Sequence, residues 1–371
     1  MDSLPVSFVS SHAKLGGSER YLETLLEQFG HEWIAAVVSL EEGPLAARLR
    51  DLGYPLEVLP TSGRWASILW SAWRLRRALL RARPAVVHAN GIKAALVAAI
   101  ATVGTRLPIV WVKHDHSWDG PLAIAIALRC RLVVGVSRAV TRVFSGRVAQ
   151  HVRVAYTGMV PPDVDRRQGR AALLAALAAR EGARIVGIVG YLAPGKGQHE
   201  LVEVAPELLR RLPNARFALV GGENPSAPGY ETELRRRVTE LGLDGTVRFL
   251  GHRDDALTLI AGLDVVVVTT LPTGRVRGGE GFGLAALEAL AVGTPVVGYD
   301  AGALREVVGE CGALVPPGDR AALVKALYRV FLEDSTSQRM ARCGRYRARS
   351  LFSQERWIER MKECYREAAR R

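Results

Sequence analysis

Short β-branched runs alternate with helical patterns along the whole chain, and that alternation limits the fold more than any other feature. In the first half PVSFVS, WIAAVVSL, PLEVLP, PAVVHAN, PIVWVKH, RLVVGVS and VRVAYTG read as strands. Between them SERYLETLLEQF reads as a helix with Ser18 as its N-cap, and long helical patterns cover 66–81 and 94–103. In the second half ARIVGIVG, ARFALVGG, TVRFLG, LDVVVVTT, TPVVGYD and GALVPPG are strands, separated by helical stretches such as HELVEVAPELLRRL. Strands joined through helices form parallel sheets covered on both faces. The predicted fold is therefore α/β, with two doubly wound Rossmann-like domains facing a central cleft. A length of 371 residues accommodates two domains of ordinary size. The expected division is 1–160 for the first domain, a polar, Pro-bearing linker over 161–183, and 184–350 for the second. A last helix over 351–371 is expected to pack back toward the first domain. Doubly wound sheets bind ligands at the carboxyl ends of their strands, so the cleft is the expected site.

One stretch raises a question of chemistry. VGIVGYLAPGKGQHE has Gly190, four residues, then Gly195-Lys196, which is most of a P-loop, but Gly197 stands where Ser or Thr would bind magnesium. Glycine amides and a lysine after a strand can hold a diphosphate without a metal. An ordinary strand-to-helix turn with a solvated lysine fits the same letters. A second stretch, GGEGFGLAALEALAVGTPVV, places Glu280 in a glycine-rich loop and Glu288 inside the helix that follows. The amides of Phe282, Gly283 and Leu284 fall at that helix's N-terminus, where N–H groups lack intrahelical partners and the dipole favours an anion.

Composition narrows the partners. The net charge is +13, with 49% hydrophobic and 23% charged residues, so a packed core is expected and an anionic ligand or surface is favoured. No aromatic residues interleave along a basic groove, which speaks against nucleic acid. Cys130, Cys311, Cys343 and Cys364 lack metal-ligand or redox spacing and are expected as reduced thiols. The opening residues lack a basic n-region and read as a strand, so a cytoplasmic protein is expected. The helix WASILWSAWRLRRALLRAR carries an apolar stripe, Ile68, Ala72, Leu75 and Leu79, and a second stripe of Trp70, Arg74, Arg77 and Arg81. The second stripe suits anionic headgroups at the inner membrane face, or equally a solvated surface. His114 and His116 share an i, i+2 spacing that could hold a metal, but no third ligand is apparent, so no metal and no cofactor is expected. Asp254-Asp255 precedes a helix and reads as capping.

In order along the chain, these segments resemble the retaining glycosyltransferases of family 4, which have the two-domain GT-B fold. The resemblance rests on Glu280-x7-Glu288 followed by Gly293-Thr294-Pro295-Val296-Val297, together with Gly16-Gly17-Ser18-Glu19-Arg20, VVHAN, VKHDH, GVS, KGQHEL and VRFLG. It implies transfer of a sugar from a nucleotide diphosphate sugar, a UDP-sugar or GDP-mannose, to a small-molecule or lipid-linked hydroxyl. It implies that Lys196 neutralises the donor diphosphate, Glu280 binds sugar hydroxyls, and Glu288 binds the ribose. Phe282, Gly283 and Leu284 would offer backbone amides, Gly16 and Gly17 would let the first loop approach the phosphates, and His114 would lie near the reacting centre. Tyr191 departs from the pattern, because the family usually has an arginine there; Arg275 and Arg277 are the candidates to replace its charge. A P-loop NTPase or kinase and a non-catalytic sugar-nucleotide-binding protein are the competing readings.

Overall fold

The computed structural model describes residues 3–14, 16–272 and 279–370. The chain divides into two compact units, Met1–Gly158 with Gln354–Arg371, and Met159–Ser353.

The first unit runs β1 (Val6–Ser10), α1 (Gly17–Gln28), β2 (Ile34–Ser39), α2 (Pro44–Asp51), β3 (Leu56–Val58), α3 (Trp65–Ala82), β4 (Val86–Asn90), α4 (Ile92–Ala101), β5 (Ile109–Lys113), α5 (Pro121–Arg129), β6 (Leu132–Gly135), α6 (Gly146–Ala149) and β7 (Val152–Val154). Its strands form a sheet in the order β3-β2-β1-β4-β5-β6-β7, with every pairing parallel. Every residue of β1, β4 and β5 is buried, which is why these strands read as continuous apolar runs rather than alternating ones. On α3 the stripe Ile68, Ala72, Leu75 and Leu79 is buried in this core. Each such Ile or Leu contributes about 1.5–3 kcal/mol of transfer free energy, enough to orient the helix whatever its other face carries.

The start of α1 differs from expectation. Gly16, not Ser18, is the N-cap, because the Glu19 carboxylate turns back to accept the Gly16 amide at 3.1 Å. A carboxylate satisfying the first amide and the helix dipole together outcompetes a serine two positions later.

The second unit runs α7 (Arg166–Ala176), β8 (Arg184–Val189), α8 (Gln198–Arg211), β9 (Ala215–Val220), α9 (Tyr230–Glu240), β10 (Val247–Gly251), α10 (Ala256–Gly262), β11 (Val265–Val268), α11 (Leu284–Val292), β12 (Val296–Tyr299), α12 (Leu304–Val308), β13 (Ala313–Val315), α13 (Arg320–Leu332) and α14 (Asp334–Leu351). Its parallel sheet has the order β10-β9-β8-β11-β12-β13. Asp255 occupies the N-cap of α10, but its carboxylate pairs with Arg253 at 2.7 Å instead of with a helix amide. The fork of the arginine matches both carboxylate oxygens, and one amide offers less.

Two further features depart from the sequence reading. The segment 161–183, expected as a linker, carries α7, and α7 lies backbone to backbone against α10. A Cβ on Gly169 would come within 1.9 Å of the Thr258 carbonyl oxygen. Arg170 then reaches Asp264 at 2.8 Å, and Asp264 accepts the Ile185 amide at 2.7 Å, which ties the segment to β8. Cys311 and Cys343 are not free thiols. Their Cα atoms are 5.1 Å apart and they form a disulfide, while Cys130 and Cys364 are free and buried. A separation of 32 residues gives no hint that α14 returns past the end of α12. Burial pushes the Cys130 thiol up to about 12 and that of Cys364 up to about 11, so neither is a reactive thiolate.

The last helix, α15 (Gln354–Ala369), closes the first unit. Trp357, Ile358, Met361, Cys364, Tyr365 and Ala368 are buried, and the helix contacts β4, β5 and β6. Tyr365 meets Phe8 edge-on at 6.3 Å, and its hydroxyl lies 2.6 Å from His88 Nδ1.

The α7–α10 contact carries a prediction with an unusual sign. Alanine in place of a helical glycine ordinarily adds up to about 1 kcal/mol of stability. At Gly169 the methyl would overlap the Thr258 carbonyl, so Gly169→Ala is expected to lower the melting temperature by at least about 4 °C. Gln168→Ala, on the exposed side of the same turn, is the control, and scanning calorimetry of both variants checks the difference.

Candidate functional site

In a doubly wound sheet the ligand crevice opens where strand order reverses. That point lies between β8 and β11 in the second unit and between β1 and β4 in the first. The residues singled out by sequence gather at these two places.

After β8 the chain passes Gly190 and Tyr191 into a single 3-10 turn, Pro194–Lys196, and then into α8. Gly197 caps α8 in the left-handed region, with φ +73°, and a Cβ there would lie 1.9 Å from the Thr269 carbonyl oxygen. Thr269 Oγ1 donates to the Gly197 carbonyl at 2.8 Å, and the Leu271 amide donates to the Gly195 carbonyl at 3.0 Å. The loop is thereby pinned to the end of β11. The position where a P-loop would place its magnesium ligand faces protein backbone and has no room for a side chain.

Lys196 Nζ lies 3.0 Å from both carboxylate oxygens of Glu280, and Thr270 Oγ1 donates to Glu280 Oε2 at 2.6 Å. The lysine side chain is 42% exposed and the glutamate 12%. The lysine end of the pair is open to solvent, while the carboxylate is largely buried and keeps a hydrogen bond from Thr270. The Glu280 backbone is fixed by its own carbonyl, which accepts the Ala303 amide at 2.8 Å. Gly283, with φ +103°, caps α11, so the first-turn amides from Leu284 onward have no acceptor within the helix. Phe282 lies just before that cap, its ring buried edge-on against Phe352 at 5.8 Å. Glu288 is half-buried one turn beyond Leu284, on the same face of α11. Tyr191 is also half-buried, and its carbonyl accepts from Gln198 Nε2 at 2.8 Å. Lys196, Glu280 and the start of α11 therefore form one cluster. Arg275 and Arg277 lie outside the described residues.

The first unit holds the other residues singled out by sequence. Gly16 and Gly17 open α1, and Glu19 already covers part of that helix start. His114 follows β5, with its Nε2 2.6 Å from Asn90 Oδ1 and its ring edge-on to Tyr21 at 4.8 Å. Burial pushes His114 down to about 4 and His88 to about 3, so both imidazoles are neutral near pH 7. The neighbouring histidine points elsewhere: His116 Nδ1 lies 3.5 Å from Asp119, which also holds the buried Lys113 at 2.5 Å. Among the described residues no group of three His, Cys, Asp or Glu side chains is placed to hold a metal ion.

Two residues of this arrangement were not singled out in the sequence, Thr270 and Asn90. Both are polar residues at the end of an apolar strand, and both strands flank a reversal of strand order. That pattern is a usable signal once sheet order is known.

Known proteins share this architecture. Residues 15–161 match the family described as Glycosyltransferase Family 4, and residues 183–333 match that described as Glycosyl transferases group 1. A D-inositol 3-phosphate glycosyltransferase of Corynebacterium efficiens is 35% identical over 193 residues, 50% of this chain and 43% of that protein. A phosphatidyl-myo-inositol mannosyltransferase of Mycobacterium leprae is 34% identical over 169 residues, 44% of this chain and 41% of that protein. The chain thus spans less than half the length of these curated relatives. Among solved structures, Anabaena HepE in complex with UDP superposes with a TM-score of 0.82 at 25% identity, covering 97% of this chain and 99% of that one.

The packing at Gly197 yields a test. Gly197→Ser restores the P-loop letters but forces a side chain into the left-handed region, a strain of about 1–3 kcal/mol, and into the Thr269 carbonyl. The variant is expected to melt at least about 4 °C below the parent and to gain no stabilisation from Mg-ATP. A thermal-shift titration measures both.

Proposed function

The chain belongs to the family 4 glycosyltransferases, and on that premise we propose that it transfers a hexosyl or N-acetylhexosaminyl group from a nucleotide diphosphate sugar to an acceptor hydroxyl, with retention and without a metal. The observation that carries this reading is the cluster of Lys196, Glu280 and Thr270 beside the N-terminus of α11. A UDP-sugar is the favoured donor, in keeping with the UDP complex of the structural neighbour, and GDP-mannose is the second. The acceptor is a small phosphorylated molecule or a lipid-linked one, as the names of the relatives suggest. In this reading the diphosphate draws Lys196 away from Glu280, and the freed carboxylate, still held by Thr270, takes sugar hydroxyls. The acceptor oxygen bonds to the anomeric carbon on the face from which the phosphate oxygen departs. That phosphate oxygen receives the acceptor proton, so no protein base is needed. Lys196 and the first amides of α11 stabilise the charge that develops on the leaving group. Glu288 binds the ribose and His114 lies near the transferred sugar.

The roles separate kinetically. A contact that strengthens as the diphosphate departs acts on kcat, whereas a contact to the bound ribose acts on KM. Lys196→Ala is therefore expected to lose kcat by at least about tenfold, and Glu288→Ala to raise the donor KM with kcat nearly kept. Transfer is expected to survive EDTA. Steady-state assays across UDP- and GDP-sugars read all three, and a Lys196→Ala variant with parental kcat, or loss in EDTA reversed by Mg²⁺, would count against the mechanism.

The finer placement concerns α3. Its buried stripe is matched by an outward face bearing Trp65, Leu69, Trp70, Trp73 and Leu80, all exposed. Arg74 stacks on Trp70 and Arg77 on Trp73, at 5.1 and 4.9 Å, and Glu57 pairs with Arg74 and Arg81. These groups line a hollow of about 320 Å³. The helix has no acidic residue, so two copies joined through this face would set arginine against arginine. An anionic bilayer matches both its charge and its tryptophans, and the cytoplasmic leaflet supplies such a surface. No helix among the described residues is long and apolar enough to cross a membrane, so the contact is peripheral. Flotation should recover the protein with phosphatidylglycerol vesicles and not with phosphatidylcholine ones. Replacing Trp73 by Ala and Arg77 by Glu should lower that partitioning at least about tenfold, and equal binding to both vesicle types would remove this placement.

A further inference from the structure

We propose that Asn90 is a positioning residue that holds His114 as the neutral tautomer protonated at Nε2, leaving Nδ1 as the acceptor for a hydroxyl of a bound sugar. The ligand rests on the glycosyltransferase reading; the tautomer does not.

Asn90 ends β4 with 2% of its surface exposed, so both halves of its amide need partners within the protein. The Ser18 carbonyl oxygen can only accept a hydrogen bond, and Asn90 Nδ2 lies 2.9 Å from it. That contact fixes which way the amide points. Oδ1 is left facing His114 Nε2 at 2.6 Å. An amide oxygen has no proton to give, so Nε2 carries the hydrogen and the lone pair of the neutral ring resides on Nδ1.

The ring plane is also held. Tyr21 meets His114 at an interplanar angle of 80° and is itself packed on Trp357 of α15, with ring centres 4.7 Å apart. The Tyr21 hydroxyl is turned to Met361 Sδ at 3.3 Å, so it does not offer its proton to His114. The titratable and charged groups around His114 are Lys113 and Asp115 at its own strand end, His88 on β4 and Tyr21 on α1. Burial outweighs the one carboxylate among them and keeps the imidazole uncharged.

Such a ring accepts a hydroxyl proton and offers nothing to a carbonyl or phosphate oxygen at Nδ1. It selects a hydroxylated group over an anion, and it supplies no proton to the departing phosphate. The family resemblance implies a place for His114 near the reacting centre; the Asn90 contact says in which protonation state, and for which half of a hydrogen bond.

The test is long-range proton–nitrogen NMR of the full chain carrying ¹⁵N-histidine at pH 7.5, with His114→Gln to assign the signal. The expected spectrum has a protonated Nε2 and a bare Nδ1 at His114. Asn90→Ala should mix the tautomers and lower kcat/KM about tenfold, the weight of one lost hydrogen bond to a bound hydroxyl. Asn90→Asp keeps an acceptor at Nε2 and should keep that nitrogen protonated, while its charge favours the imidazolium and its loss of the Ser18 contact leaves the rate only partly restored. A wild-type His114 protonated at Nδ1 overturns the proposal, as does an Asn90→Ala variant with unchanged tautomer and kcat/KM. Should Asn90→Ala fail to fold, the wild-type spectrum decides alone. A wild-type chain that shows the expected tautomer but transfers no sugar overturns the functional reading and leaves the lock standing.

Discussion

The contact between Gly197 and the Thr269 carbonyl organises the second unit's site. β8 and β11 are neighbours at the reversal of strand order, and the loops leaving them must pass one another closely. Only a residue without a Cβ lets the start of α8 settle onto the end of β11. Once that is settled, the two hydrogen bonds from Thr269 and Leu271 hold Gly195 to Gly197 in place, and Lys196 is delivered to Glu280. A side chain at residue 197 would move the lysine away from the carboxylate and from the head of α11. The lost P-loop residue and the placed lysine are thus one steric fact seen from two sides.

The electrostatics follow from that geometry. A lone lysine beside a helix N-terminus would be a strong standing attractor for any anion. Here Glu280, largely buried and held by Thr270, offsets it. The charges of Lys196 and Glu280 cancel within the pair. The first unit reaches a different solution. Its histidine is made neutral by burial and directed by an amide, so it contributes direction rather than charge.

Much of this was legible in the letters of the chain, for reasons that differ by residue. Strands buried on both faces require unbroken β-branched runs, so both sheets could be located before their order was known. Lys196, Glu280 and Glu288 each had an ordinary reading, a solvated lysine in a turn and carboxylates at a helix start or on a solvated face. They stood out only through the order of motifs that carries the family resemblance. Asn90 and Thr270 did not, since a single polar letter closing an apolar run acquires meaning only when sheet order puts it at the reversal. The α7 segment was obscured by composition: its flanking prolines and charges look like a tether, and the glycine that docks it against α10 is one letter among them. The Cys311–Cys343 pair was hidden by distance along the chain, because it depends on where α14 turns back. Ser18 lost the N-cap to Gly16 through a carboxylate three residues on, a competition that capping preference alone does not resolve.

The return of α15 to the first unit has a consequence for how the protein is made. The second unit is one unbroken stretch, but the first waits for residues made only after the whole second unit. At roughly 5–20 residues per second, the ribosome takes tens of seconds to pass from β7 to α15. Throughout that interval the faces of Phe8, His88 and Tyr21 that Tyr365, Met361 and Trp357 will cover remain open to water or to other chains. The order of assembly is therefore inverted relative to the order of synthesis: the unit begun first is finished second, and its last helix acts as the closing wedge.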